Sequence, residues 1–438
     1  MRTVRIGTGA GYSGDRIDPA VELAAHGSLS YLVFECLAER TIALAQGARL
    51  LNPSSGYDPF LEERMEAVLP LCVSNGVRIV SNMGAANPRA AAAKAREVAA
   101  RLGLRGLRIA AITGDDVLAL ILQDPAHFDG IAPGKLISAN AYLGAEPIVS
   151  ALASGADIVL TGRVADPSMF VAPLVHEFGW SLDDWTTLGQ ATVIGHLLEC
   201  AGQVTGGYFA DPPYSSVPGL ARLGFPLAEV SGDGSAVISK VERSGGRITR
   251  ATCIEQFLYE IQDPSAYLTP DVVADFSQVQ LDEIGLDRIR VSGGGGRARP
   301  ETLKVSVGYR GGFIGEAQIS YAGPGARARA ELARDILAER LSARPVGELR
   351  FDMIGINSVH GAIYPNLSCD PHEVRLRAIA RADSGNAASL VGREVEALYT
   401  NGPAAGGGVT HSVRETIAIL STLISRASVK PVIHFEES

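Results

Sequence analysis

Residues 107–116 read LRIAAITGDD, an apolar run that ends in a polar turn and two aspartates. The same pattern recurs six times within the first 165 residues, in RIGTGAGYSGD (5–15), YLVFE (31–35), RLLN (49–52), VRIVSN (77–82), KLISAN (135–140) and ADIVLTGR (156–163). Buried parallel strands form continuous Val/Ile/Leu runs because helices cover both of their faces. The segments therefore predict a parallel sheet whose strands each end in a polar residue.

Helical stretches separate these runs. They are Pro19–Ala25, Phe60–Cys72, Pro88–Leu102, Glu146–Ser154 and Pro167–His176. Strand, helix and strand at this spacing are typical of βαβ units. We expect an α/β fold in which residues 1–210 form a large, mainly parallel, doubly wound sheet domain, with an incomplete barrel as the alternative.

The pattern changes near Asp211, where a loop rich in proline and serine begins. Beyond it, short segments of alternating polarity such as Lys304–Val307, separated by glycine-rich turns, are typical of antiparallel strands. The predicted helices are Ala326–Leu341, His372–Ala382, Val391–Thr400 and Ser412–Arg426, and PVIHFEE (431–437) predicts a last strand. We expect residues 211–438 to form an α+β domain with glycine-rich loops.

Composition narrows the class of protein. Of 438 residues, 46% are hydrophobic and 20% are charged, as in a globular protein, and the net charge of −9 includes no basic run that would suit nucleic acid. The scattered cysteines favour a reducing compartment, and no apolar stretch suggests a signal peptide or a membrane span. We expect a cytoplasmic enzyme that forms a homo-oligomer and binds neither nucleic acid nor membranes.

The candidate site follows from the strand ends. Ligands of open α/β sheets bind beyond the carboxyl ends of the strands, so the polar residues there should line one crevice. The candidates for proton transfer are Asp15, Glu35, Asp115 and His196. The candidates for substrate binding are Ser13, Arg16, Asn52, Ser55, Asn82, Asn140, Arg163 and Gly407.

Two of these residues have competing interpretations. Arg163 precedes the helix start at Asp166 and Pro167, where a cation beside a helix N-terminus would attract a carboxylate or phosphate; it could instead pair with Asp166. His196 shares a predicted helix face with Glu199, so it is either an acid/base histidine oriented by that carboxylate or a buried structural histidine.

A glycine motif raises the question of a cofactor. Gly9–Gly14 fits G-x-G-x-x-G after a strand, as in dinucleotide-binding folds. However, Asp18 marks the helix start after the motif, and Asp15 would bring negative charge towards a pyrophosphate. We therefore expect no NAD, and the adjacent carboxylates Asp115 and Asp116 leave a divalent metal open.

Longer strings carry a family resemblance. Among them are GYSGDRIDPA (11–20), NPSSGYDP (52–59), GADIVLTGRVADPS (155–168), GHLLECAGQVTGGYFADP (195–212) and YEIQDPSAYLTPDV (259–272). With them, the chain resembles the acyclic terpene utilisation family, AtuA, over about residues 3 to 436.

The resemblance implies a function in catabolism, because genes of that family lie among genes for breakdown of citronellol, geraniol and branched acyl-CoA compounds. It implies an enzyme acting on a small carboxylate or its CoA thioester, foremost a hydro-lyase or hydratase. A hydrolase and a non-catalytic subunit of an acyl-CoA carboxylase-type complex are the alternatives. Many members carry an extra C-terminal ferredoxin-like domain that this sequence lacks after Ser438, so the resemblance also suggests a separate small partner of that kind.

Overall fold

The computed structural model describes residues 2–361 and 371–437. The chain divides into two compact units: the first runs up to Gly308 and resumes at Ile419, and the second is Tyr309–Ala418. The domain boundary predicted between residues 210 and 211 lies within the first unit. In the described residues, no helix has the length and hydropathy needed to cross a bilayer.

The first unit contains most of the regular structure. Its helices are α1 (Asp18–His26), α2 (Glu39–Leu51), α3 (Leu61–Asn75), α4 (Pro88–Arg101), α5 (Leu118–Ile121), α6 (Glu146–Ala153), α7 (Ser168–Phe178), α8 (Trp185–Glu199) and α9 (Arg250–Leu258). Its strands are β1 (Thr3–Ala10), β2 (Tyr31–Phe34), β3 (Arg78–Ser81), β4 (Arg108–Thr113), β5 (Leu136–Ala141), β6 (Ile158–Thr161), β7 (Pro226–Ser231), β8 (Ala236–Lys240), β9 (Tyr267–Leu268), β10 (Val273–Asp275), β11 (Gln280–Gly285), β12 (Arg288–Ser292), β13 (Gly295–Arg297), the start of β14 (Thr302–Ala322), the end of β17 (Gly406–Ser425) and β18 (Val432–Glu437).

The main sheet has ten strands in the order β11-β12-β8-β7-β1-β2-β3-β6-β4-β18. Its centre, β1-β2-β3-β6-β4, is parallel. The remaining pairs are antiparallel, with β7, β8, β12 and β11 on one side and β18 on the other. The α/β class is confirmed, but the prediction of a mainly parallel sheet is wrong. Short chain reversals such as the turn between β7 and β8 add antiparallel strands without a crossover helix.

Helices cover both faces of the parallel centre. In β2, Leu32 and Phe34 pack in a core cluster with α1, α3 and α4, whereas Tyr31 and Val33 pack in another with α6, α7 and α8. Successive side chains of a strand point to opposite faces, so both faces must be apolar. This explains the continuous apolar runs of the sequence and leaves the strand ends for polar residues.

Two predicted strands take other roles. The strand predicted at residues 49–52 is wrong, because these residues form the end of α2 and Asn52 is its C-terminal cap. The run RLL is too short to reveal the helical period, so its apolar residues resemble a strand. The strand predicted at KLISAN is β5, but it pairs with β14 instead of joining the main sheet.

The second unit has β-α-β-β-α-β topology, as in ferredoxin-like folds. Its elements are β14, α10 (Ala326–Ser342), β15 (Glu348–Ile354), β16 (Glu373–Ala382), α11 (Gly385–Asn401) and β17, with sheet order β15-β16-β14-β17. The predicted helices Ala326–Leu341 and Val391–Thr400 are confirmed as α10 and α11.

The helices predicted at His372–Ala382 and Ser412–Arg426 are wrong, because these segments belong mainly to β16 and β17. In β16, Val374, Leu376 and Ala378 are buried while the intervening arginines are not. That alternation has the period of a strand, and it outweighs the helical propensity of alanine and arginine.

Candidate functional site

A pocket of about 980 Å³ lies in the first unit, beyond the carboxyl ends of β1, β2 and β6. Its charged lining residues are Glu35, Glu39, Arg163, Asp166, Glu199, Glu260 and Lys304. Its apolar and aromatic walls include Tyr12, Leu37, Tyr142, Pro167, Tyr259, Tyr267, Leu268, Pro270, Leu303 and Leu423. The pocket therefore combines ionisable groups with a largely hydrocarbon surface, as small-molecule sites do.

Glu35 follows β2 directly and is only 9% exposed. Its Oε1 accepts hydrogen bonds from the Leu37 N–H at 2.8 Å and from Asn82 Nδ2 at 3.0 Å. Burial raises the pKa of this carboxyl group; the Arg163 charge lowers it in part, and negative charge on Glu199 raises it. Asn82, which also accepts from the Cys36 N–H, thus fixes the Glu35 loop from beneath the pocket.

Glu199 is the last residue of α8 and lines the same pocket. Its Oε1 lies 2.8 Å from Nδ1 of His196, one helical turn earlier, whereas its Oε2 has no hydrogen-bond partner among the described residues. Burial raises the pKa of Glu199 and the His196 contact lowers it in part. The His196 ring packs beside Tyr267 and Phe276, so the histidine orients Glu199 and does not line the pocket.

Arg163 follows β6 and is 1% exposed. Its guanidinium donates to the carbonyls of Leu37 and Val164 and forms an ion pair with Asp166. Burial raises the pKa of Asp166 and the Arg163 charge opposes that rise. The predicted Arg163–Asp166 pair is therefore present, and the same arginine ties the loop after β2 to the loop after β6.

Two cations lie over the Tyr142 ring. The ring centroid is 4.6 Å from the Arg163 guanidinium carbon and 4.8 Å from Lys304 Nζ. The Tyr142 hydroxyl donates to Glu39 at 2.6 Å, and Lys304 donates to the same carboxylate at 3.1 Å. Although burial opposes the change, these hydrogen bonds lower the pKa of Glu39 to about 2, so Glu39 stays ionised and holds Lys304 at the pocket wall.

The loop after β1 forms another wall of the pocket through Gly11, Tyr12 and Ser13. Asp15 shapes this loop by accepting hydrogen bonds from the Gly11 and Arg16 N–H groups at 2.9 and 2.8 Å. A side chain at position 11 would lie 2.7 Å from the Cys200 carbonyl carbon, so glycine allows the loop to pack against the end of α8. In accord with the sequence, α1 begins at Asp18, after the glycine motif.

Within residues 2–361 and 371–437, no three His, Cys, Asp or Glu side chains are grouped so that they could hold a metal ion. A family model described as "Acyclic terpene utilisation family protein AtuA" matches residues 4–435, almost the whole chain. The chain belongs to the AtuA family. No curated protein and no solved structure matches it.

Membership of the AtuA family implies a role in acyclic terpene utilisation. The apolar walls of the pocket are compatible with that role, because acyclic terpenes are branched hydrocarbon chains. The family assignment by itself specifies no reaction, so the chemistry has to be inferred from the residues that surround the pocket.

The predicted site residues of this AtuA member fall into three groups. Ser13, Glu35 and Arg163 line the pocket. Asn82, Asp15, Asp115, Asn140 and His196 lie behind it and hold its lining residues or their loops. Arg16, Asn52, Ser55 and Gly407 are not among the lining residues.

The last group has local contacts instead. Arg16 pairs with Asp18, and the exposed Asn52 accepts a hydrogen bond from the Ser54 N–H. The Ser55 carbonyl accepts a hydrogen bond from Asn87, the N-terminal cap of α4. Gly407 belongs to β17 in the second unit.

Sequence reasoning missed several lining residues as members of the site, chiefly Glu39, Tyr142, Glu260 and Lys304. Tyr142 follows β5, so its position two residues after Asn140 could have suggested it. Tyr259 and Glu260 stand in a string that signalled the family but offers no catalytic motif by itself. Lys304 reaches the pocket through the pairing of β5 and β14, which local patterns do not reveal.

Replacing Asp115 by asparagine should flatten the dependence of stability on pH. Asp115 is buried, and burial raises its pKa to about 6 although the Arg163 N–H and Asn140 donate to it. The folded state therefore binds this proton more tightly than the unfolded state, and stability falls as pH rises between about 4 and 6.

Asparagine does not titrate, and its carbonyl oxygen can keep the same two donors. We expect Asp115→Asn to raise the unfolding free energy at pH 7 to 8 by about 1–3 kcal/mol relative to wild type. Urea unfolding from pH 4 to pH 8 measures the effect, with the exposed neighbour Asp116→Asn as control. A variant whose stability falls with pH as steeply as wild type would contradict the prediction.

Proposed function

We propose that this AtuA member is an enzyme that adds water to, or removes water from, a small branched carboxylate or its CoA thioester. The observation that carries the proposal is the presence of two buried carboxyl groups with raised pKa, Glu35 and Glu199, in one pocket with apolar walls. Such perturbed pairs are typical of acid/base sites.

Dehydration needs a base and an acid on the two reacting carbons. The base removes a proton from the carbon beside the carbonyl group, while the acid protonates the hydroxyl group on the next carbon, which leaves as water. A carbon–carbon double bond forms between the two carbons. Hydration runs through the same steps in reverse, with the roles of acid and base exchanged.

We assign Glu199 as the base and Glu35 as the acid in the dehydration direction. His196 stabilises the ionised form of Glu199. The Oε2 atom of Glu199 has no hydrogen-bond donor among the described residues. Burial and the negative charge of Glu199 raise the pKa of Glu35 and so favour its protonated form, although the Arg163 charge opposes them in part. Two interacting carboxyl groups that share one proton supply both functions.

The charge that develops on the carbonyl oxygen needs electrostatic stabilisation. Arg163 and Lys304, which both lie over the Tyr142 ring, provide positive potential beside the carboxyl groups. Arg163 acts without leaving its buried contacts, so its role is to supply charge and to position the Leu37 loop. The apolar wall formed by Leu268 and Leu303 suits a methyl-branched chain.

The test is a reaction in D₂O with branched 3-hydroxyacyl and 2-enoyl substrates, each offered as the CoA thioester and as the free acid. We expect one substrate pair to be interconverted, with a mass change of one water and deuterium at the carbon beside the carbonyl group. Release of free CoA from an unchanged acyl chain would instead indicate a hydrolase. No change in any substrate, with wild type and Glu199→Gln alike, would overturn the proposal.

A further inference from the structure

The interior of the pocket carries more negative than positive groups. The carboxyl groups are Glu35, Glu39, Asp166, Glu199 and Glu260, and the cations are Arg163 and Lys304. Both cations are already paired, Arg163 with Asp166 and Lys304 with Glu39. The carboxylate of a free acid would therefore meet like charge without a vacant cation to receive it, and like charges at short range are repulsive.

We propose that the substrate enters as a thioester, whose reacting end is uncharged, and that a phosphate group of its carrier binds outside the pocket to Arg299 and Arg426. The inference rests on the proposed function and narrows its substrate class. An uncharged acyl group avoids the repulsion inside the pocket. The phosphate supplies the binding energy at the rim, where the positive charges are not paired.

Arg426 adjoins the pocket wall, because it donates hydrogen bonds to the carbonyls of two residues that line the pocket, Pro270 and Pro300. Its Nη2 donates to the Pro270 carbonyl at 2.5 Å and to the Pro300 carbonyl at 3.1 Å, and its Nε donates to Pro300 at 3.2 Å. Its Nη1 makes no hydrogen bond to the described part of the chain, so that edge of the guanidinium is available. The arginine thus has one edge fixed by the protein and one edge open.

Arg299 precedes Pro300 and stands over the Trp185 ring, with its guanidinium carbon 5.9 Å from the ring centroid. Its guanidinium makes no hydrogen bond to a described residue. Arg426 donates to the carbonyl of Pro300, the residue that follows Arg299, so the two arginines are close to each other. In accord with this, burial and next the charge of Arg299 lower the pKa of Arg426. Two neighbouring guanidinium groups with free donors form a fork suited to phosphate oxygens.

Three carboxyl groups also act on Arg426 through their charge, Asp271, Glu301 and Glu146. None of the described carboxylates lies within 4 Å of the guanidinium of Arg299 or Arg426. The Asp271 carboxylate instead accepts hydrogen bonds from the Ala145 N–H and the Ser168 hydroxyl. The acidic groups therefore moderate the positive charge at the rim without occupying the free N–H donors.

The experiment is a calorimetric titration with coenzyme A itself, which has the phosphates and no acyl group. We expect Arg299→Ala to raise the Kd of coenzyme A about 10- to 100-fold, as for the loss of a charge-assisted contact. The matched control is Arg297→Ala, two residues away, whose Nη1 donates to the Ser265 carbonyl. This control should leave the Kd within twofold of wild type.

Three further titrations complete the test. Pantetheine, which lacks the nucleotide phosphates, should bind Arg299→Ala and wild type equally. Glu199→Gln should bind coenzyme A like wild type, because the rim does not depend on the acid/base pair. A branched free acid should bind wild type at least 100-fold more weakly than its CoA thioester, since only the thioester gains the phosphate contacts.

Equal Kd values of coenzyme A for Arg299→Ala and Arg297→Ala would overturn the proposal, as would a free acid that binds as tightly as its thioester. These outcomes are separate from the fate of the proposed reaction. If thioesters bind as expected but are never hydrated or dehydrated, the proposed reaction is wrong, but the phosphate site at Arg299 and Arg426 is supported. If free acids are turned over and coenzyme A does not bind, the proposed reaction is supported, but the phosphate site at Arg299 and Arg426 is wrong.

Discussion

Replacing Glu199 by glutamine should lower kcat by about 10²–10⁴-fold, the range expected for the loss of a general base. Glutamine keeps the size of the side chain, and its carbonyl oxygen can still accept from His196 Nδ1, which lies 2.8 Å from Glu199 Oε1 in the wild type. It cannot take a proton from carbon. The fold should therefore survive while the reaction fails, and turnover and thermal melting of the same preparation measure both.

The matched control for this variant is Glu260→Gln, which neutralises another carboxylate of the same pocket. We expect it to change kcat less than threefold, because Glu260 is assigned no proton transfer. If Glu199→Gln keeps more than a tenth of wild-type kcat, or if both variants lose activity equally, Glu199 is not the base.

The pH profile provides an independent check of the assignment. Burial raises the pKa of Glu35, and dehydration requires Glu35 to be protonated. Dehydration should therefore slow as pH rises through that raised pKa. Hydration starts from the same singly protonated pair, with the proton on Glu199, so kcat/KM for hydration should fall in parallel with kcat/KM for dehydration. A rate in either direction that stays constant as pH rises through that pKa would contradict the shared proton.

Local sequence patterns predicted the parallel centre of the sheet because its strands are buried on both faces. The runs at YLVFE and VRIVSN correspond to β2 and β3, and the polar residues that end them, Glu35 and Asn82, are neighbours at the pocket. A strand with two buried faces can contain almost only apolar residues, so its ends are visible as the first polar positions.

The same patterns failed where long-range pairing decides the structure. β18 joins the main sheet beside β4, more than 300 residues earlier in the chain, and β5 leaves the sheet to pair with β14. In β17, the run TIAIL contains β-branched residues, which favour a strand, but Ser412 and Glu415 have the spacing of a capping box, which favours a helix. Pairing with β14 overrides that local signal.

The candidate site was predictable to a similar extent. Strand-end reasoning found Glu35 and Arg163, which line the pocket, and Asn82 and Asp115, which support them. It could not separate lining from supporting residues, because that depends on how loops fold back over the strand ends. The buried Arg64, which holds the loop after β1, carries no signal in the sequence, since it follows two glutamates in the first turn of α3, where a charged residue is ordinary.

Replacing Arg64 by methionine should lower the unfolding free energy by about 3–5 kcal/mol, the range for breaking a buried ion pair. The side chains of Arg64 and Asp58 are 0% and 2% exposed, and Arg64 Nη1 donates to Asp58 Oδ1 at 3.2 Å. Without Arg64, the Asp58 carboxylate would remain buried without its counter-ion. Methionine fills much of the volume of the arginine side chain. The decrease in unfolding free energy therefore reflects mainly the lost charge and hydrogen bonds.

Arg64 also holds the loop after β1. Its Nη2 donates to the carbonyls of Ser13 at 2.6 Å and Asp15 at 3.2 Å. The variant should therefore bind substrate more weakly per folded molecule, because Gly11, Tyr12 and Ser13 line the pocket. Ligand titration of the folded fraction separates this effect from the loss of stability.

A double variant tests the cause of the instability. Adding Asp58→Asn to Arg64→Met removes the unpaired charge of the buried Asp58 carboxylate, so the double variant should be more stable than Arg64→Met alone. The control is Arg101→Met at an exposed ion pair with Glu62 and Glu66, where we expect little change in the unfolding free energy because solvent screens the charges. If Arg64→Met is no less stable than this control, or if Asp58→Asn destabilises both backgrounds equally, the buried pair does not hold the loop and its contribution must be assigned to packing around α3.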